Sequence, residues 1–224
     1  MDLTASLREL SRSVRLDSGV GDSLDALVAA ALDAIPGAEF AGVSYIEERR
    51  TVTTRAATDP RAVAVDLAQY ETGQGPCLTA LFDEAVVSMP DRDRETRWPQ
   101  FIARLAGSDV LSMLSFQLFA ADDTLGALNL YAARRHAFGD DARSVGELFA
   151  LHAGVVLAGA QRHERMGQAL TTRDVIGQAK GILMERFKLT GDQAFALLVQ
   201  ISRSTNTKLR DVAEHLARTG ELDS

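Results

Sequence analysis

The chain has 224 residues, 46% hydrophobic and 25% charged, with a formal net charge of −7, which is ordinary globular composition for one large or two small domains. One cysteine, Cys77, excludes an internal disulfide framework and fits a reducing compartment. No unbroken run approaches the roughly eighteen apolar residues of a membrane span, and Met1-Asp2-Leu3-Thr4 lacks the basic and apolar regions of a signal peptide, so the expectation is a cytoplasmic protein without membrane contact.

In chain order, Leu3, Leu7, Leu10 and Val14 fall at helical spacing, and residues 1–20 are predicted as an N-terminal helix broken by Asp17-Ser18-Gly19. A second helix is predicted over 23–34, with Leu24, Leu27, Val28 and Ala31 apolar and Pro36-Gly37 as its stop. The period then changes to two. Residues 42–46 and 51–56 read as strands around a charged tip, Glu47 to Arg50. A helix over 62–70 leads to the loop Thr72-Gly73-Gln74-Gly75-Pro76-Cys77, whose glycines and proline demand special backbone angles. Residues 77–82 form a short helix, 85–89 a strand and 98–105 another helix. Residues 111–119 and 125–132 are strands joined at Asp122-Asp123-Thr124. Strands mixed with helices on an antiparallel sheet give an α+β domain.

Two residues here have competing readings. Cys77 at a helix start could carry a lowered pKa and sense oxidants, but the favoured reading is a small apolar residue plugging the sheet. Trp98 is read as packing under a loop rather than as a ligand platform. The four histidines (His136, His152, His163, His215) have no metal spacing, and no phosphate loop or triad spacing is present. No enzymatic activity is expected, and no metal or cofactor.

Residues 140–170 read as one long connecting helix. Val145, Leu148, His152, Val155 and Gly159 recur at three and four, and Met166 and Leu170 continue a narrow stripe. A narrow seam on a polar helix is what a two-stranded coiled coil offers, so a homodimer is expected. Three further helical patterns fill 171–220. Ile176, Ala179, Leu183 and Phe187 mark the first. Thr190-Gly191-Asp192-Gln193 is a capping box opening the second, with Ala194, Leu197, Leu198 and Ile201 inward. Ser204-Thr205-Asn206-Thr207 interrupts, and Asn206 and Thr207 are expected to cap the third helix, which ends at Gly220. Residues 171–218 hold eight basic and five acidic groups, a surplus of three, which leaves 16 basic against 26 acidic elsewhere. A mildly basic tail on an acidic body restores the possibility of a nucleic-acid partner with a small footprint.

Residues 176–184, Ala194-Phe195 with Leu198, and Asn206-Thr207-Lys208-Leu209-Arg210-Asp211-Val212-Ala213 resemble, in order and spacing, the ANTAR domain. That domain is the RNA-binding output module of bacterial transcription antiterminators, and the resemblance covers about 173–216. Gly73-Gln74-Gly75-Pro76-Cys77, Arg97-Trp98-Pro99 and Leu125-Gly126-Ala127-Leu128-Asn129-Leu130-Tyr131 look like a GAF domain of the kind fused to ANTAR modules, over about 24–158. The chain thus resembles a GAF-ANTAR transcription antitermination regulator. The resemblance implies a sensory antiparallel sheet with flanking helices (21–158) that often encloses a small ligand, a coiled-coil-type connecting helix (140–170) and a three-helix ANTAR bundle (171–220).

Departures narrow the ligand. Leu130 stands where the cyclic-nucleotide signature has lysine, and only Phe138 and Asp140-Asp141 echo its later part. Cys77 is followed by Leu78 rather than the histidine common at bilin attachment sites, and for a haem the only histidine within the predicted sheet domain is His136, in a loop after the hairpin. The implied RNA site uses exposed polar and basic positions, here Lys180, Arg203, Ser204, Thr205, Asn206, Lys208 and Arg210. Cationic side chains hold phosphates, while asparagine and hydroxyls read base edges in unpaired hairpin loops of nascent transcripts. Two rivals stand beside this reading. One is a DNA-binding regulator that places the third helix in a major groove; the other is a ligand-binding adaptor whose bundle only dimerises or binds protein.

Overall fold

A computed structural model describes residues 20–46, 51–120 and 123–221. The predicted N-terminal helix over 1–20, the Glu47 to Arg50 tip and Asp122 of the predicted turn lie outside the described residues. The chain divides into two units, one up to Arg162 and one from His163.

The first unit holds the helix α1 (Val20–Ala34), the strands β1 (Phe40–Ile46) and β2 (Val52–Ala57), the helices α2 (Pro60–Thr72) and α3 (Pro76–Phe82), and β3 (Val86–Met89). A turn of 3-10 helix (Arg92–Arg94), α4 (Pro99–Arg104), β4 (Ser112–Ala120) and β5 (Asp123–Ala132) follow, and then α5 (Asp140–Phe187), whose first part belongs here. The sheet has the order β2-β1-β5-β4-β3 with every neighbouring pair antiparallel. β5 is central, aligning Phe40 with Tyr131 on one side and Ser115 with Asn129 on the other.

Strict alternation sends the side chains of each strand to two different cores. Val43, Leu114, Phe116, Leu118, Leu128 and Leu130 meet Leu24, Leu27 and Ala31 of α1 and Phe149, Ala153 and Leu157 of α5. Phe40, Met89, Met113 and Tyr131 meet Val65, Cys77, Leu81 and Phe101 from α2, α3 and α4. Each buried Leu or Phe contributes about 1.5–3 kcal/mol, so covering both faces accounts for the strands' unusually apolar sequence.

Close approach of α5 to β4 requires glycine. A Cβ on Gly154 would sit 2.2 Å from the Phe119 carbonyl oxygen, whereas one on Gly159 would meet nothing within 4 Å. Gly154→Ala is therefore expected to lower stability by roughly 1–3 kcal/mol, while Gly159→Ala raises it by about 0.5–1 kcal/mol through its helix propensity. Urea unfolding midpoints of the two variants check the contrast, and equal midpoints would contradict it.

Among the described residues α5 is the one helix long and apolar enough, by length and composition, to cross a membrane. The stretch from Leu148 to Ala160, interrupted by His152, is still no unbroken run of roughly eighteen apolar residues. Phe149, Ala153 and Leu157 of that stretch are buried in the first core. The predicted seam separates in the same way. Val145 packs against the core and His152 is half-buried, while Leu148 and Val155 are 56% and 62% exposed.

The second unit contains the rest of α5, α6 (Gly191–Ser204) and α7 (Leu209–Thr219). Ala179 and Leu183 of α5, Ala194 and Leu198 of α6, and Ala213 and Leu216 of α7 form its core. The capping box is present as read: Gln193 N donates to Thr190 Oγ1 at 3.3 Å, and Thr190 N donates to Gln193 Oε1 at 2.9 Å. Gly220 ends α7 in the left-handed conformation, φ 74°, and its carbonyl accepts from Arg186 Nη1 at 2.5 Å.

The α6–α7 turn differs from the expectation. Asn206 and Thr207 do not cap α7; its N-cap is Lys208, with no side-chain hydrogen bond. Asn206 is instead the left-handed residue (φ 51°) after α6, and Thr207 N donates to the Ser202 carbonyl at 3.1 Å. That six-to-one bond is a Schellman closure, in which asparagine tolerates the position glycine usually takes. The physical reason for the difference is that ending α6 already uses these residues.

Candidate functional site

The surface of the helical unit carries a groove of about 1090 Å³ lined by Arg165, Arg173 and Lys180 of α5, Phe195 of α6 and Arg210 of α7. Four cations share it with one acid, Asp174. Arg165, Arg173 and Lys180 stand eight and seven apart on one helix, which places them on one face. Lys180 Nζ lies 5.9 Å from the centroid of the Phe195 ring, within cation–π range. Arg210 Nε reaches Asp211 Oδ1 at 3.3 Å, with both side chains about half exposed, so this contact adds little stability. Phe195 is 41% exposed because it falls one position off the Ala194–Leu198 stripe.

Phe195 also borders a second, shallower depression of about 660 Å³, with Ala196, Val199, Gln200, Arg203 and Ser204. The sequence-predicted residues are therefore distributed rather than pooled. Lys180 and Arg210 share the cationic groove, and Arg203 and Ser204 lie in the depression that Phe195 also lines. Thr205 lines a small separate recess with Asp211 and His215. Asn206 and Lys208 are exposed, the first shaping the backbone and the second at the α7 N-cap. The groove also takes in Arg165, Arg173 and Phe195, which the sequence reading does not name as site residues. The spacing of eight from Arg165 to Arg173 and of seven from Arg173 to Lys180 was the available signal, and for Phe195 it was an aromatic outside the inward stripe.

A second cluster lies inside the sheet unit. Asp66 of α2 is fully buried and accepts from Tyr131 OH at 2.5 Å, Thr54 Oγ1 at 3.0 Å, and Asn129 Nδ2 and Gln69 Nε2 at 3.2 Å. Burial pushes its carboxyl up to about 7, and the hydrogen bonds from Tyr131, Thr54, Ser44 and Asn129 oppose the rise without cancelling it. Ser44 Oγ receives Asn129 Nδ2 at 2.9 Å and the Cys77 thiol at 3.0 Å, and it pairs with Tyr70 OH at 2.6 Å. Ser115 Oγ and Asn129 Oδ1, on cross-strand partners, are buried without a hydrogen-bond partner.

Cys77 is fully buried, and burial with the nearby Asp66 charge pushes its thiol up, away from the reactive thiolate. Its role is packing and hydrogen bonding. Trp98 is likewise a packing residue: it is buried, donates from Nε1 to Thr79 Oγ1 at 3.2 Å, and is covered by the Arg97 guanidinium 4.1 Å from its ring. His136 is exposed. Among the described residues no group of three His, Cys, Asp or Glu side chains could hold a metal ion.

A family model for the GAF domain matches residues 18–158, and one for the ANTAR domain matches residues 164–216. No protein of curated function matches the chain. Among solved structures, it is similar to the GAF domain of an Acinetobacter phosphoenolpyruvate-protein phosphotransferase, at 16% identity and TM-score 0.55, over 74% of this chain and 99% of that one. It is similar to the phycoerythrobilin-bound GAF domain of a cyanobacterial phytochrome, at 13% identity and TM-score 0.57, over 73% and 98%. It is similar, too, to the substrate complex of free methionine-R-sulfoxide reductase from Neisseria meningitidis, at 14% identity and TM-score 0.54, over 71% and 88%. At such identities these likenesses establish the fold alone.

Proposed function

The chain belongs to the GAF-domain family and carries an ANTAR domain, an RNA-binding antitermination module, behind it, and from that premise we propose that it is a signal-responsive regulator whose ANTAR dimer binds paired hairpin loops in nascent transcripts. The observation that supports this most is the groove of Arg165, Arg173, Lys180 and Arg210 beside exposed Phe195. Cations there hold phosphates, and a modest positive surplus suits a short unpaired loop better than extended duplex coverage. The GAF domain receives the signal. The protein acts in the cytoplasm, without a membrane and without catalysis of its own.

Dimerisation is the second part of the proposal. Exposed Leu148 and Val155 in the first unit, and Met166 and Leu170 in the second, leave apolar side chains on α5 for a second copy. Pairing two bundles matters because linking two weak loop contacts raises apparent affinity by roughly 10²–10⁴ when geometry allows both. Leu148→Glu combined with Val155→Glu is expected to give a monomer in sedimentation that binds a two-hairpin RNA no more tightly than a one-hairpin RNA. A dimer that survives both changes would remove this seam from the proposal.

The function itself is tested by binding of the purified chain to a labelled RNA with two short hairpins, beside one-hairpin and duplex-DNA controls. Selective binding to the paired hairpins supports the antiterminator reading. Preference for duplex DNA would move the reading to a DNA-binding regulator. No binding by the full chain or by residues 163–224 would move it to a protein-binding adaptor.

A further inference from the structure

The cationic groove and the shallow depression meet at one side chain. Phe195 lines both, its ring is 41% exposed, and Lys180 Nζ stands 5.9 Å from its centroid. The depression is built from Ala196 and Val199, with Gln200, Arg203 and Ser204 as its polar groups, all on α6. An apolar floor at an aromatic ring, with amide, hydroxyl and guanidinium groups around it, suits a planar heteroaromatic ring better than a phosphate. The cations on the other side suit phosphates better than a base. We propose that Phe195 is a stacking platform for one unpaired nucleobase of the RNA loop, seated over the Val199–Arg203 depression, while the flanking phosphates lie in the groove of Arg173, Lys180 and Arg210.

The chemistry assigns separate tasks to the two sides. Stacking on an aromatic face contributes affinity that is tolerant of salt and blind to phosphate charge, whereas cation–phosphate contacts release counterions and set the salt dependence. Gln200 offers both a donor and an acceptor to a base edge. Ser204 Oγ donates to the Ile201 carbonyl at 3.0 Å, which leaves its lone pairs to accept from a base amino group. Arg203 can lie flat on the outer face of the same base. The platform is thereby a specificity element distinct from the cations, and it rests on the RNA-binding reading above.

The test uses the full chain and a two-hairpin RNA carrying 2-aminopurine at each loop position in turn. One loop position is expected to lose fluorescence on binding, as its base stacks on the ring. Phe195→Leu keeps the apolar bulk but removes the π-face. It is expected to lower affinity about 10-fold to 100-fold, to abolish that quenching and to leave the salt slope unchanged. Phe195→Trp restores both affinity and quenching, which a merely structural role for Phe195 does not predict. Lys180→Ala does the converse, flattening the salt slope while quenching persists at saturation. Phe195→Leu protein that binds and quenches like wild type overturns the platform and leaves RNA binding standing. A wild-type chain that binds no hairpin overturns both.

Discussion

Replacing Arg173 and Arg210 together with alanine is expected to weaken binding to a two-hairpin RNA by about 100-fold, the loss of two charge-assisted contacts. It is also expected to reduce the slope of log affinity against log salt by about 0.7 for each phosphate contact removed. Both residues line the cationic groove, one from α5 and one from α7, so one phosphate run can engage both at once. Lys188 is equally basic, but it pairs with Glu185 at 3.3 Å and does not line the groove. Lys188→Ala is therefore expected to leave affinity and salt slope within twofold of wild type. Lys208, which the sequence favours beside Arg210, stands at the α7 N-cap outside the groove lining. Its replacement is expected to have an effect smaller than that of either groove arginine. Salt titrations of the double variant, Lys188→Ala, the Lys208 variant and the two single arginine variants by fluorescence anisotropy decide the matter. If Lys188→Ala weakens binding as much as the double change, charge alone and not the groove accounts for the affinity.

What could be read in advance follows from how local each signal is. The capping box at Thr190 and Gln193 and the stop at Gly220 are set within a few residues, and each stands where the spacing put it, while the strand expected from Gly42 begins two residues earlier, at Phe40. The Ser204 to Thr207 turn was legible as a turn but not in its roles. Asn and Thr serve equally to open a helix or to close one, and only the bond from Thr207 N to the Ser202 carbonyl decides. Of the seven candidate RNA residues, those near the turn lie on three surfaces, because neighbours in sequence occupy different helix faces. Arg165 and Arg173 lie 45 and 37 positions before Arg210, and the bundle brings them to one groove. Asp66 was less legible still. In Val65-Asp66-Leu67-Ala68 it reads as one more solvated helix acid, and its partners Asn129 and Tyr131 are 63 and 65 residues away.

That buried acid makes a second large prediction, in which the stability of the sheet unit falls as pH rises through neutrality. An unfolded aspartate titrates near ~3.9, and in the fold Asp66 is raised to about 7. Between those values the folded chain holds a proton that the unfolded chain has released. Stability from the neutral acid is therefore fully present below the unfolded value and is lost as pH climbs through the folded one. A shift of this size corresponds to as much as ~4 kcal/mol, an order-of-magnitude figure. The opposite sign holds for Asp93, which Arg135 and Arg92 keep below the usual carboxylate range, and for Glu95, which Arg97 holds low against its own partial burial. Their contributions are present above the ordinary carboxylate range and lost in acid, so the two windows do not overlap. Asp66→Asn imitates the protonated acid. Its oxygen can still accept from Tyr131, and its amide can donate to Thr54 Oγ1, whose proton is then free to turn to Tyr70 OH at 3.0 Å. Trp98, the only tryptophan, is buried in the same unit and reports its unfolding. The wild-type urea midpoint is expected to decline from about pH 5 to about pH 8 and then level, whereas Asp66→Asn stays flat across that range and is the more resistant protein at the alkaline end. A level wild-type midpoint, or a decline that survives the substitution, would show that Asp66 is ionised at both ends and that its four donors, rather than its proton, keep it in the core.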